Sequence, residues 1–339
     1  MTSKSTKVTL IKGDGIGPEI CDAVVAVFDA AKAGIQWEEA QAGLNCIEKY
    51  GSGITDECLN LLAHNKIALK GPTTTPVGGG HKSINVTIRK ALDLYVNVRP
   101  LQTVPGVETP FKNVNLIIVR ENIEDTYGGI EHMQSPDCAQ GLRLITRSGS
   151  LRAHRYAFEL ARRENRKKVT CVHKANIMKI TDGLFLDTFR EVAAEYKDIE
   201  SNDIIVDNLC MQMVTKPQQF DVLVLPNLFG DIVSDLGAGL VGGLGIASGA
   251  NIGRDCAIFE AVHGSAPDIA GKGMANPTAI LFSAISMLRH MGKINVAQHI
   301  EKALLAALAD PNSRTRDLGG KAGTQEFTQA VIRNLGGQV

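Results

Sequence analysis

Short β-rich apolar runs alternate with longer stretches of helical spacing along most of this chain, and that alternation limits it to a layered α/β fold. Strands are predicted at Lys7 to Ile11, Lys66 to Lys70, Asn115 to Val119, Lys168 to Val172 and Phe220 to Leu225. Helical patterns run over Ile20 to Ala33, Leu151 to Glu164 and Gly183 to Tyr196. Internal repeats and low-complexity tracts are absent. Breaks near Arg99-Pro100 and at Gly249 to Arg254 predict a large domain from 1–99 and 254–339 and a smaller central domain from 100–253.

The chain has 339 residues, 44% hydrophobic and 21% charged, the profile of a globular protein. Its 36 basic and 36 acidic side chains cancel, so no single-sign field draws it to nucleic acid or a membrane surface. The basic run Arg162 to Lys168 reads as a helix C-terminus meeting solvent rather than an RNA site. No apolar window is long enough to span a bilayer. Seven scattered cysteines without a C-x-x-C pair imply reduced thiols in a reducing compartment. The start, MTSKSTKVTL, carries no apolar signal region, which implies a bacterial cytoplasm, or a mitochondrial matrix if a presequence has been removed.

The run Asn227 to Gly253, NLFGDIVSDLGAGLVGGLGIASGANIG, sets Asp231 and Asp235 four residues apart at a helix start. Residues at that spacing share one helix face. Two like charges held together need a cation between them, and carboxylate oxygens suit Mg²⁺ or Mn²⁺. Elsewhere such a pair is simply a solvated face; here it follows an apolar strand, and strand ends opening into helices are where α/β sheets place ligands. The earlier cluster Gly13-Asp14-Gly15-Ile16-Gly17-Pro18 is not a dinucleotide fingerprint, because Pro18 stands where the third glycine belongs. It predicts only a tight strand-to-helix turn.

Gly71 to Arg99 gathers hydroxyls, the amide of Asn85, and Arg89 and Arg99. Ser83 and Asn85 stand at a helix start, where Ser83 serves as an N-cap or faces an anion. Arg120 follows the NLIIV strand. Arginine pairs bidentately with carboxylates, so three arginines near strand ends point to a substrate with several of them.

GDGIGPE, TTTPVGGGHKSIN, RENIEDTYGGIEH, HKANIMK, NLFGDIVSDL and FEAVHGSAPDIAG occur in this order. Together they resemble the isocitrate and isopropylmalate dehydrogenase family, the β-decarboxylating dehydrogenases, over about residues 7 to 335. The resemblance implies that family's two-domain α/β fold rather than a Rossmann fold. It implies that Arg89, Arg99 and Arg120 bind substrate carboxylates, with Ser83 and Asn85 at the distal one. Isopropylmalate enzymes place an apolar residue where Ser83 stands, so the implied substrate is isocitrate. It further implies a metal site of Asp231 and Asp235 with Asp207 of a second subunit. Lys179, also from that subunit, would be the base, and Tyr127 the late proton donor.

On the cofactor side the resemblance places Thr75 at the nicotinamide end and His263 and Asn276 near the adenine, with Gly264 also binding the cofactor. Asp268 and Ile269 lie beside the adenosine ribose. A carboxylate at Asp268 accepts from ribose hydroxyls and repels a 2′-phosphate, which implies NAD. The implied assembly is a homodimer or higher homo-oligomer with shared sites. Homoisocitrate, tartrate and isopropylmalate are the competing substrates, and a regulatory subunit of a hetero-oligomeric enzyme is the competing role.

Overall fold

The computed structural model describes residues 5–75 and 83–336; the 76–82 part of the second glycine-rich motif lies outside the described residues. The strands are β1 (Thr6–Ile11), β2 (Ile35–Ala40), β3 (Ile67–Lys70), β4 (Val96–Gln102), β5 (Asn115–Glu121), β6 (Glu131–Ser135), β7 (Cys138–Gly141), β8 (Lys168–His173), β9 (Glu200–Ile205), β10 (Val222–Leu225), β11 (Ser248–Ile252) and β12 (Ala257–Ala261). The helices are α1 (Gly17–Ala30), α2 (Leu44–Tyr50), α3 (Asp56–Asn65), α4 (Ile84–Ala91), α5 (Arg147–Arg163), α6 (Thr181–Ala193), α7 (Val206–Thr215), α8 (Asn227–Val241), α9 (Thr278–His290), α10 (Ile294–Ala309) and α11 (Thr324–Gly336).

One ten-stranded sheet runs through the molecule in the order β2-β1-β3-β12-β11-β4-β5-β10-β8-β9. The outer pairs on both sides are parallel, whereas β12–β11, β11–β4 and β4–β5 are antiparallel. Strand direction is therefore opposite in the two halves, with the reversal at the centre. Parallel strands need helical crossovers, and those helices cover the faces. Helices α1, α9, α10 and α11 pack together beside the first half; α5 packs on β5, β10 and β8, and α8 on β4 and β5.

Strands β1, β3 and β12 of the first half are buried on both faces. Val8, Leu10, Leu69 and Phe259 point into the main core, while Ile11, Ala68 and Ile258 point into a second cluster with Leu62, Ile84 and Ile88. Each fully buried side chain of this size contributes about 1.5–3 kcal/mol. That two-sided burial explains why these runs read as continuous apolar stretches.

The expected break at Arg99-Pro100 falls inside β4, and that at Gly249 to Arg254 begins inside β11 and ends in the turn before β12. The first glycine cluster forms the expected tight turn. Gly13 and Gly15 adopt φ of +72° and +58°, and a Cβ would meet the Pro72 and Ser265 carbonyl oxygens at 2.1 and 2.0 Å. Asp14, between them, accepts from the Leu44 amide at 2.9 Å and the Thr74 amide at 2.7 Å, tying the turn to the threonine loop.

Candidate active site

The polar residues of the central strands form a stripe across the sheet. Lys70 stands opposite Glu260, Glu260 opposite Gly249, Asn251 opposite Asn97, and Asn97 opposite Arg120. Because side chains alternate along a strand, Arg99 shares the face of Asn97. A cavity of about 260 Å³ opens over this stripe, lined in part by Ser83, Asn85, Arg89, Arg99, Arg120, Tyr127 and Asp231. Among the described residues its lining carries the cations Lys70, Arg89, Arg99 and Arg120 against the carboxylates Glu260 and Asp231.

A chain of hydrogen bonds fixes the floor. Lys70 pairs with Glu260 at 2.6 Å, and Asn251 donates to Glu260 Oε1 at 2.6 Å. Asn97 donates to Asn251 at 3.0 Å and accepts from Arg99 Nε at 2.7 Å. Burial alone would raise the Glu260 carboxyl, but Lys70 and Arg89 outweigh it and hold it down at about 2. Burial lowers the Arg99 guanidinium to about 10, with Arg120 adding to the effect.

Arg120 is 1% exposed. It donates through Nε to Asn227 at 2.9 Å and through Nη1 to Asp231. Its stem lies against Gly230, where a Cβ would sit 2.5 Å from Arg120 Cγ, so α8 passes close only because that position has no side chain. Among the described residues Arg89 Nε and Arg120 Nη2 are buried donors without an acceptor. Such orphans are rare and costly, and a bound carboxylate would satisfy them.

Ser83 caps α4, its side chain accepting from the Val86 amide at 3.5 Å, and Asn85 accepts from Thr73 at 3.3 Å. Tyr127 donates to Asp231 Oδ2 at 2.5 Å and stacks under Arg120. Burial and the Asp231 contact raise the Tyr127 phenol, so it stays protonated. Asp231 is lowered despite its burial, because Arg120, Tyr127 and Arg99 stabilise the carboxylate.

Asp231 and Asp235 sit one turn apart on α8, with side chains 39% and 60% exposed. Their oxygens suit a hard cation but supply only part of a coordination shell. Among the described residues no three His, Cys, Asp or Glu side chains are placed to hold a metal. Asp207, the third expected ligand, is away from this cavity on α7 and pairs with Lys174. Lys179 is also outside it, exposed in the turn before α6. Within a few residues of Lys179, Ile177 and Ile180 are exposed, as are Met211 and Val214 on the helix of Asp207; Ile232 on α8 is exposed as well.

A second cavity of about 320 Å³ is lined by Ile16, Gly245, His263, Gly264, Ile269, Asn276 and Asp317, among others. His263 and Gly264 line both cavities. His263 Nδ1 lies 3.0 Å from the Gly264 carbonyl, Nε2 is a buried atom without a partner, and burial lowers the imidazole pKa. Asn276 donates to Asp317 at 2.8 Å. Asp268 is exposed just outside this lining, and Thr75 Oγ1 accepts from the Ile84 amide at 3.5 Å.

Sequence reasoning missed Lys70, Asn97 and Glu260. Their signal is a polar residue within an apolar run: Lys70 in IALK, Glu260 in AIFEA, and Asn97, two before Arg99, in VNVRPLQ.

The family described as isocitrate/isopropylmalate dehydrogenase matches residues 7–331. A Homo sapiens relative, the mitochondrial alpha chain of NAD isocitrate dehydrogenase, is 52% identical over 97% of this chain and 90% of its own length. A Dictyostelium discoideum relative, a regulatory chain of mitochondrial NAD isocitrate dehydrogenase, is 50% identical over 98% of this chain and 93% of its own. The crystal structure of isocitrate dehydrogenase from Methylococcus capsulatus superposes with a TM-score of 0.94 at 53% identity, covering 97% of this chain and 99% of that one. With the fold, the polar stripe and the ordered motifs in agreement, the chain belongs to the isocitrate/isopropylmalate dehydrogenase family.

Proposed function

We propose that this chain is an NAD-dependent isocitrate dehydrogenase, which oxidises isocitrate at C2 and releases CO₂ to give 2-oxoglutarate. The observation that carries this reading is the convergence of Arg89, Arg99 and Arg120 with Ser83, Asn85 and Tyr127 on one cavity with unsatisfied cationic donors. The arginines bind and orient the substrate carboxylates, and Ser83 and Asn85 meet the distal one. Lys179 of the partner subunit takes the C2 hydroxyl proton. After CO₂ leaves, Tyr127 returns a proton to the carbon that lost it. Mg²⁺ or Mn²⁺, held by Asp231 and Asp235 with Asp207 of the partner subunit, would supply Lewis acidity at the substrate oxygen. NAD, accepting the hydride, would lie along Thr75, His263, Gly264, Asp268, Ile269 and Asn276.

The assembly in this reading is a homodimer or higher homo-oligomer, supported by the exposed apolar side chains around Lys179 and Asp207. Sedimentation of a catalytically competent monomer would exclude it. Closure of 1–99 and 254–339 onto 100–253 would exclude water from the cavity; small-angle scattering with isocitrate and Mn²⁺ should then show contraction. No described helix is long and apolar enough to cross a membrane. We place the chain in a bacterial cytoplasm, or in a mitochondrial matrix if a presequence has been removed, and cell fractionation decides between them.

The decisive experiment measures nicotinamide reduction on isocitrate, homoisocitrate, isopropylmalate and tartrate, each with NAD and NADP, with Mn²⁺ and with chelator. Metal-dependent NAD reduction on isocitrate alone is expected. Turnover of another acid instead would reassign Ser83 and Asn85. Silence on all four would favour a regulatory role, the one in the name of the Dictyostelium relative; the retained Tyr127, Lys179, Asp207, Asp231 and Asp235 argue against it.

A further inference from the structure

Arg143 takes no part in the cavity lining, yet it joins the elements that carry both proposed proton-transfer groups. Its side chain, 13% exposed, lies between two fully buried carboxylates, Asp125 and Asp182. Nε donates to Asp125 Oδ1 at 2.6 Å and Nη2 to Asp125 Oδ2 at 3.2 Å. Nη1 donates to Asp182 Oδ1 and lies 2.9 Å from the Met178 sulfur. The guanidinium also sits over the Phe229 ring at 4.9 Å.

Each partner is bonded onward. Asp125 Oδ1 accepts from the amide of Thr126, the residue before Tyr127, at 2.8 Å. Asp125 Oδ2 accepts from the Leu228 amide, in the first turn of α8 ahead of Asp231, at 3.0 Å. Asp125 holds φ at +67°, an uncommon conformation away from glycine, so its placement depends on these bonds. Asp182 Oδ2 accepts from the Lys174 amide at 2.6 Å, and the Asp182 amide donates to the carbonyl of Met178, the residue before Lys179, at 3.0 Å. Burial would lower the Arg143 pKa, but the two carboxylates outweigh it and raise it, so the charge is secure. A guanidinium is a rigid fork that holds two carboxylates in fixed directions, which a single ammonium does not.

We propose that Arg143 is a positioning residue that aligns Tyr127 for its own chain's site and Lys179 for the neighbouring chain's site at once. This rests on the roles given above to Tyr127 and Lys179. Apart from Asp231, which Arg99, Arg120 and Tyr127 share, the substrate arginines have partners that Arg143 does not touch, Glu260 for Arg89, Asn97 and Ser234 for Arg99, and Asn227 for Arg120. Disturbing Arg143 should therefore damage proton transfer in two sites while leaving substrate affinity in place.

The test uses the full chain with Arg143→Gln, followed by amide hydrogen exchange over 122–128 and 174–182 and by steady-state kinetics on isocitrate with NAD and Mn²⁺. We expect both segments to lose protection together and kcat to fall about 100-fold, the scale of a 1 Å misplacement, with KM for isocitrate unchanged. Arg143→Lys, which keeps the charge without the fork, should recover part of the turnover; it carries the test if the glutamine variant does not fold. Exchange that rises in one segment or neither overturns the proposal. So does joint loosening with unchanged kcat, wild-type turnover in Arg143→Lys, or activity lost only in step with global unfolding. A wild-type chain inactive on isocitrate defeats the functional reading instead, and the exchange pattern still decides whether Arg143 ties the two segments.

Discussion

The substrate cavity and the segment around Lys179 are built on opposite terms. In the cavity Arg89, Arg99 and Arg120 are almost wholly buried, and each finds a carboxylate, amide or hydroxyl within its own chain. Beside Lys179 in sequence, Ile177 and Ile180 face outward, as do Met211 and Val214 on the helix of Asp207, and Lys179 has no ion-pair partner among the described residues. Buried charges must be matched locally or they cost several kcal/mol. Exposed apolar side chains, by contrast, mark a surface open to a partner. On the reading proposed above, one chain finishes its binding groups and leaves its base to be shared.

The sharpest way to break that contrast is Lys179→Met. It should lower kcat by about 10²–10⁴-fold, the worth of a positioned general base, with little change in isocitrate KM. Arg99→Met should raise KM as well. Randomly mixed Lys179→Met and Arg99→Met chains should regain about a quarter of wild-type activity, because half the dimers then hold one intact site. No recovery on mixing would mean that Lys179 serves its own chain.

Next in size is the buried ion pair on the cavity floor. The Glu260 carboxyl, lowered to about 2 from its ordinary 4.5, adds stability that is full above pH 4.5 and is lost as pH falls towards 2. That window is worth about 3 kcal/mol, and Glu260→Gln should remove it while stranding Lys70. Urea unfolding of variant and wild type should therefore converge as pH falls through the window; a gap that widens there would refute the assignment. At the exposed end, Asp207→Asn should leave unfolding unchanged yet raise the Mn²⁺ concentration for half-maximal rate on the order of tenfold or more. A smaller effect is expected at the proposed cofactor contacts. Asp268→Lys with Ile269→Tyr should shift preference from NAD towards NADP on the order of tenfold, about 1.4 kcal/mol, in initial-rate comparisons. An unchanged ratio would remove Asp268 from the ribose contact.

The strands legible in the sequence are those whose apolar runs fill a core on one or both faces, such as β1, β5, β8 and β10. Of the strands that build the cavity, β3 and β5 were legible and the three between them were not. β4, β11 and β12 carry Asn97, Arg99, Asn251 and Glu260 at their centres, and those polar residues interrupt the apolar pattern that marks a strand. Edge strands β2 and β9 were also missed, because IQWEEA and ESNDII are half exposed and mostly polar. The helix predicted over Ile20 to Ala33 begins earlier, at Gly17, with Pro18 in its first turn, and ends at Ala30. Of the site, the arginines, Ser83, Asn85, Tyr127 and Asp231 are brought together on one cavity as their motifs implied, whereas Asp207 and Lys179 lie elsewhere on the chain.

The central reversal of the sheet also orders events during synthesis. β3 lies between β1, made just before it, and β12, which emerges only after the whole run from β4 to β11. Until then β3 presents an open edge, and Lys70 has no Glu260 to meet. The second half of the sheet, β5 with β10, β8 and β9, needs nothing from the last residues and can close as it leaves the ribosome. Chains stalled ahead of β12 should then resist protease between β5 and β10 while residues 5–75 are cut, so the first part of the protein to be translated is among the last to become stable.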